Sequence, residues 1–252
     1  MTQRFALGGA RYLYAIAPSK RPLAHLPHGI GGAPVHTLAV GSVAAVVSDT
    51  MLPKIRPERR HLSAHHAVVQ SLMQAGTVLP VAFGMIATSE GALSRMLKKH
   101  QETLGAELDR LAGQAEFEVR LAWDVPNIFE HIVHLHPELK AARDEVMALG
   151  RPASRDEKIE LGCLFERLLD EERARHTALV EAVLRQCCND VTYGATRHTT
   201  EIARLACLAP SDARAALDAC VTEVSSQLDD SFVLSFNGPW PPHHFLSLNI
   251  SV

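Results

Sequence analysis

The residues of this chain best suited to chemistry are its 14 histidines and 5 cysteines. His61, His65 and His66 form an H-x3-H arrangement, and a helix would set two of these imidazoles on one face, as a pair of metal ligands requires. A metal centre needs a third ligand, commonly a carboxylate or thiolate, yet residues 61–89 hold no acid and the HExxH form is absent. These side chains therefore read as imidazoles on the margin of an amphipathic helix, hydrogen-bonded to backbone. His131, His134 and His136 (HIVHLH) precede Pro137, with Glu130 and Glu138 close by. His131 and His134 share a helical face there, but the stretch reads as a surface helix end. His100 falls on an apolar stripe and reads as a half-buried, satisfied residue; His243 and His244 follow two prolines and have no identifiable partner.

The cysteines are Cys163, Cys187, Cys188, Cys207 and Cys220. An odd count without C-x-x-C spacing predicts free thiols in a reducing cytoplasm. The vicinal pair Cys187-Cys188 is poorly shaped for a disulfide between neighbours, so packed thiols are expected. A cysteine nucleophile would need a histidine base held by a third group, and no spacing supplies one. No G-x-G-x-x-G, G-x-x-x-x-G-K-[ST], G-x-S-x-G or paired-carboxylate motif occurs; Gly8-Gly9 and Gly31-Gly32 read as turn glycines. The expectation is a protein that is not an enzyme, with no catalytic residue, cofactor or metal. The competing reading is a haem- or metal-binding enzyme on ferredoxin-like domains, using His65 or His134 as an axial ligand.

The elements that must position these residues follow from periodicity. Arg11–Ala17 alternates Tyr12, Tyr14 and Ile16 on one face, a strand. Val35–Val40 and Ser42–Ser48 read as a hairpin of two core strands turning at Gly41. A helix is predicted from about Glu58 to Ala75, stopped by Gly76; Thr77–Val81 is a short strand that Pro80 confines to an edge. Ser89 caps a helix whose stripe of Leu93, Leu97, His100, Leu104, Leu108 and Leu111 runs to Gly113. Glu116–Trp123 alternates strictly as a strand, helices follow over about 126–189 with a break at Pro137, and the longest helix spans about Ser154–Cys188. Its polar middle, around Glu171–His176, is expected to face water. Glu201–Leu208, Ser211–Leu228 and Ser231–Phe236 complete the chain as strand, helix and strand. The pattern predicts an α+β protein of two domains, 1–113 and 114–252, each a ferredoxin-like (split βαβ) variant, the second with the helical insertion and a proline-rich tail.

Length agrees: 252 residues, 47% apolar, 21% charged and 5% aromatic suit a two-domain globular chain. The net charge of −3 is unevenly spread. Residues 1–113 carry 12 Lys/Arg against 6 Asp/Glu, residues 114–252 carry 13 against 22, and three stretches (22–48, 61–89 and 231–252) carry none. Prolines and glycines break all three, so no transmembrane span is expected; the N-terminal residues lack the form of a signal peptide; and no broad basic surface invites nucleic acid. Opposite charge on the two halves suits several partners or head-to-tail self-association.

Two uncharged segments exceed what core composition requires. In Thr77–Met85 a strand passes through Pro80 into Phe83-Gly84. In Phe236–Phe245 the residues Gly238, Pro239, Trp240, Pro241 and Pro242 lead to Phe245; three prolines fix φ and withhold three donors, so this segment is expected to leave the sheet as a stiff ledge. It either packs over its own domain or presents Trp240 and Phe245 to an apolar partner.

The strand RYLYAIA, the histidine-bearing helix leading to VLPVAFG, and the ending GPWPP-x-x-F resemble the gas vesicle accessory protein family GvpF/GvpL, in order and spacing over nearly the whole chain. The resemblance implies two α+β domains and a non-enzymatic part in assembling gas vesicles, the hollow protein shells that give buoyancy. It implies localisation to the gas vesicle and the cytoplasm, and as partners the small hydrophobic shell protein GvpA and other accessory proteins. Pro80, Phe83, Gly84, Gly238, Pro239, Trp240, Pro241, Pro242 and Phe245 are then the candidate partner-binding or structural positions. Two departures stand out: the family's P-x-R-F-G-T has Ala82 and Met85 at the Arg and Thr positions, and GPWPPY has His243 in the aromatic place.

Overall fold

The computed structural model describes residues 9–20 and 26–246. Residues 1–8 of the N-terminal stretch read as lacking a signal peptide, and the parts of two uncharged stretches at 22–25 and 247–252, lie outside the described residues. Helices and two antiparallel sheets alternate along the chain, in two compact units: the described residues up to Glu116 with those from Pro239 onward, and Phe117–Gly238. The segment from Pro239 to Leu246 thus belongs with the first unit, where a tail on the C-terminal domain was expected.

In the first unit, β1 (Ala10–Pro18) is the central strand. It pairs antiparallel with β3 (Val43–Thr50) on one side and with the two-residue strands β4 (Leu79–Pro80) and β5 (Ile86–Ala87) on the other; β2 (Val35–Val40) lies outside β3. Tyr12 through Ala17 are all buried, because β1 has neighbours on both edges and packing on both faces. The hairpin turns at Gly41, whose φ of 61° lies in the left-handed region open to glycine. Of the hairpin's two strands only β3 is a core strand. β2 is an edge strand with His36, Thr37 and Ala39 exposed, so burial does not account for its missing charge.

Helix α1 (Arg59–Gln74) lays Val68, Val69 and Leu72 on Tyr12 and Tyr14; burying each such aliphatic side chain is worth about 1.5–3 kcal/mol. The helix expected as one piece up to Gly113 is two, α2 (Glu90–Lys99) and α3 (Gln101–Arg110), hinged at His100. His100 leaves the helical region at φ −107°, ψ 13°, yet its amide still bonds the Met96 carbonyl at 3.0 Å, and the apolar stripe stays buried across the bend. The Ser89 side chain accepts the Ala92 amide at 3.1 Å, so the expected cap is formed.

In the second unit the sheet order is β7-β8-β6-β9, with β6 Gln114–Trp123, β7 Asp190–Tyr193, β8 Glu201–Pro210 and β9 Phe232–Trp240. Helices α4 (Ile128–Leu135), α5 (Pro137–Ala148), α6 (Arg155–Cys187) and α7 (Arg214–Ser226) accompany it. Pro137 starts α5 as its first residue, where a missing amide donor costs nothing. Ser154 and Glu157 close a capping box at the start of α6.

Four expectations need correction here. Cys187 and Cys220 are joined as a disulfide between α6 and α7, not left as two of five free thiols; Cys163, Cys188 and Cys207 are free. The middle of α6 is not wholly in water: His176 is buried, its ring 4.5 Å from that of Phe232, and Glu172 lies between His136 and His176 at 3.3 and 3.4 Å. Burial holds the His176 imidazole below its ordinary pKa. Strand β9 extends through Gly238 and Pro239 to Trp240, so the chain leaves the sheet four residues later than Phe236. Finally, β7 was not foreseen, because its one buried residue, Val191, makes no alternating pattern.

Candidate functional site

Helix α1 places two adjacent histidines with opposite duties. His65 is buried and faces the sheet; His66 is exposed. Among the groups around His65 the donors and acceptors leave one arrangement. The Gly84 amide must donate to the Tyr12 hydroxyl oxygen, at 3.0 Å. The Val81 carbonyl can only accept, so His65 Nε2 carries the proton and donates to it at 3.1 Å. His65 Nδ1 is then an acceptor and takes the Tyr12 O–H at 2.9 Å. The relay runs Gly84 to Tyr12 to His65 to Val81 and clamps the segment Val81–Gly84 at both ends. It requires neutral imidazole; burial pushes the His65 pKa down from 6.5 to about 4. Burial likewise raises the Tyr12 phenol to about 12, so the hydroxyl keeps its proton.

Tyr14 forms a second relay beside the first. It accepts the Ile30 amide at 2.8 Å, its hydroxyl lies 2.9 Å from Ser48 Oγ, and its ring stacks on His65 with centroids 5.6 Å apart. Gly29 makes room for it: a Cβ there would strike the Tyr14 hydroxyl and stand 2.9 Å from Cζ.

The first predicted segment is thereby positioned. Pro80 is buried at the sheet edge, opposite Ala15 in register. Phe83 packs half-buried on Tyr12 and His65, with centroids 6.1 and 5.8 Å away. Gly84 sits at φ 92°, where a side chain would be strained although space is open. Ala82, at the position of the family's Arg, is exposed, and Met85 is half-buried with its carbonyl accepting the Leu13 amide at 3.0 Å.

The second segment reaches the same helix. Trp240 lies half-buried with its ring 5.4 Å from His66. Pro241, Pro242 and Phe245 are buried. The buried Glu116 carboxylate accepts both the His244 amide at 2.9 Å and His244 Nδ1 at 2.7 Å, and Arg110 donates to the Phe245 carbonyl at 2.5 Å. Phe245 is therefore an anchor of its own chain and is not displayed, while Pro239 remains exposed. Gly238, at φ 131°, gives its carbonyl to Arg214. The two segments meet on α1, one through His65 and one through His66.

Sequence reasoning missed Tyr12, Tyr14, Glu116 and Arg110. A signal existed for the tyrosines: two of only three in the chain alternate in an apolar strand, and a buried phenol needs a partner. The haem reading meets a direct obstacle, since both nitrogens of His65 are engaged. His134 gives Nδ1 to the Glu130 carbonyl at 2.6 Å, which leaves Nε2. Among the described residues, no group of three His, Cys, Asp or Glu side chains is placed to hold a metal ion, and no helix is long and apolar enough to cross a membrane.

The family described as Gas vesicle synthesis protein GvpL/GvpF matches residues 10–247. The chain belongs to that family. Among its GvpL/GvpF relatives, Gas vesicle protein F of a Streptomyces species is 29% identical over 240 residues, covering 93% of this chain and 98% of the relative. Gas vesicle protein L2 of Halobacterium salinarum is 31% identical over 271 residues, covering 96% and 93%. The crystal structures of GvpF from an Anabaena species and from Microcystis aeruginosa share the fold, with TM-scores of 0.81 and 0.80 at 23% and 24% identity. They cover 96% and 95% of this chain and 99% of each solved chain. The match begins at the first residue of β1, so both tyrosine relays and the tail up to Leu246 fall within the family region.

Proposed function

We propose that this GvpL/GvpF protein is a non-enzymatic accessory protein that assists assembly of the gas vesicle shell, by binding the hydrophobic shell protein GvpA and other accessory proteins. The observation that carries the reading is the family match over residues 10–247, with relatives named both F and L. The site geometry supports it. Its histidine and tyrosine groups are committed to holding the chain: the relay through Tyr12 and His65 fixes Val81–Gly84 with Phe83 half-buried on it, and His66 lies against the half-buried Trp240. Rigid aromatics suit recognition of an apolar partner. Its place is then the gas vesicle and the cytoplasm around it. The strand order β9-β6-β8-β7 of the second unit supports a split βαβ reading of that domain.

Deletion of the gene in the host, followed by electron microscopy, tests the role: absent or malformed vesicles are expected, and normal vesicles would overturn it. Co-purification of GvpA with the tagged full-length chain, and its weakening in a Phe83→Ala, Trp240→Ala double variant, tests the mode. Equal recovery of GvpA with the variant would remove these segments from the binding surface.

A further inference from the structure

Two surface features remain outside the segments above, and they complement each other. In the first unit, the stretch before α1 is pinned by buried Ile55 while Met51 and Leu52 stand 79% and 55% exposed. Lys54, Arg56 and Arg59 are exposed beside them, and among the described residues none of the three forms an ion pair. Arg59 and Leu62, one helical turn apart, line an open groove of about 680 Å³. In the second unit, α5 and α6 enclose a cavity of about 380 Å³, whose walls are Val146, Leu149, Leu161 and Leu164. Its charged lining is Glu145, Glu157 and Glu160, without a base. Glu157 is paired with Arg151 at 2.6 Å, but Glu145 and Glu160 have no ion pair among the described residues. One surface is apolar and basic, the other apolar and acidic.

We propose that the basic patch of one copy docks in the acidic α5/α6 groove of a second copy, giving head-to-tail self-association. Charge complementarity selects this occupant: the groove asks for an apolar segment flanked by cations, and Met51–Leu62 of the same sequence is one. Two different surfaces make the contact heterologous, so each docked pair still offers one free patch and one free groove, and the assembly grows unless it closes into a ring. The inference rests on these two surfaces and is independent of the GvpA reading.

Sedimentation and light scattering of the full-length protein at increasing concentration test it. The mass is expected to rise above the 27.5 kDa of one chain at low salt and to fall back as salt screens the contact. Glu145→Lys with Glu160→Lys spoils only the groove; Lys54→Gln with Arg59→Gln spoils only the patch, and a neutral patch is not drawn to the reversed groove. Each variant alone should stay monomeric at concentrations where wild type associates, a loss of about tenfold or more in affinity. Mixed together, the two should form a one-to-one dimer that grows no further, since each retains the surface the other lacks. All four positions are exposed, so unchanged far-ultraviolet circular dichroism and melting temperature serve as folding controls. Wild type that stays monomeric throughout, association untouched by the substitutions, or a mixture that does not pair would overturn the proposal.

Discussion

Acid should loosen the first unit through His65, and the size of the effect follows from the relay. A second proton on His65 would sit on Nδ1, where the Tyr12 O–H now donates, so charging the ring breaks that bond and buries a cation. The folded ring therefore titrates near pH 4, against 6.5 for an ordinary imidazole. A lowered folded pKa means that the unfolded chain binds more protons between those values, so stability is intact above about pH 6.5 and falls as pH drops toward 4. Going from pH 7 to pH 5 leaves His65 mostly neutral when folded and mostly charged when unfolded, which costs about 2 kcal/mol; the loss levels off near 3 kcal/mol below the folded pKa. Burial lowers the His176 imidazole as well, so its contribution has the same sign. The quantity to read is therefore the difference between wild type and His65→Asn, whose amide oxygen can still accept from Tyr12. Urea unfolding at pH 7 and pH 5, followed by Trp240 fluorescence in a Trp123→Phe background, reports the first unit. The wild type should lose about 2 kcal/mol more than the variant between the two pH values. Equal losses would refute a neutral His65 and the tautomer assigned to it.

Further outcomes come from the same contacts. Tyr12→Phe removes the acceptor of the Gly84 amide and the donor to His65 at once, and should lower stability by about 2–3 kcal/mol in urea titration. Gly29→Ala drives a methyl into the Tyr14 hydroxyl, and should cost about 1–3 kcal/mol in thermal unfolding; unchanged stability would show that Tyr14 is not held there. Glu116→Ala releases His244, so chymotrypsin should cut after Phe245 several-fold faster while the rest of the chain resists. Reducing Cys187–Cys220, which closes a loop with a sequence separation of 33, should weaken the second unit by about 4 kcal/mol, seen as a lower melting temperature in dithiothreitol and in Cys220→Ser.

Much of this protein was legible in its sequence where a feature is local. The alternation of Glu116–Trp123 is a strand because period two admits no other element, the Ser154–Glu157 box starts α6 where its two side chains can trade backbone donors, and Pro137 restarts a helix because proline has no amide to lose. The resemblance carried by VLPVAFG and GPWPP located the family, because short runs of proline, glycine and aromatics impose backbone paths that few other sequences share.

What only the tertiary structure decided are partnerships between residues far apart in the chain. Periodicity cannot say that His65 meets Tyr12, 53 residues away, nor that Glu116 meets His244, 128 residues away. The same blindness hid the pairing of Cys187 with Cys220, which depends on how α6 lies on α7. It also misplaced the tail, whose prolines predict stiffness but not the surface it covers. The sequence alone determines elements and family, because local sterics and hydrophobic period act within a few residues. The structure assigns each histidine its duty, because a hydrogen bond depends on a donor and an acceptor that only packing brings together.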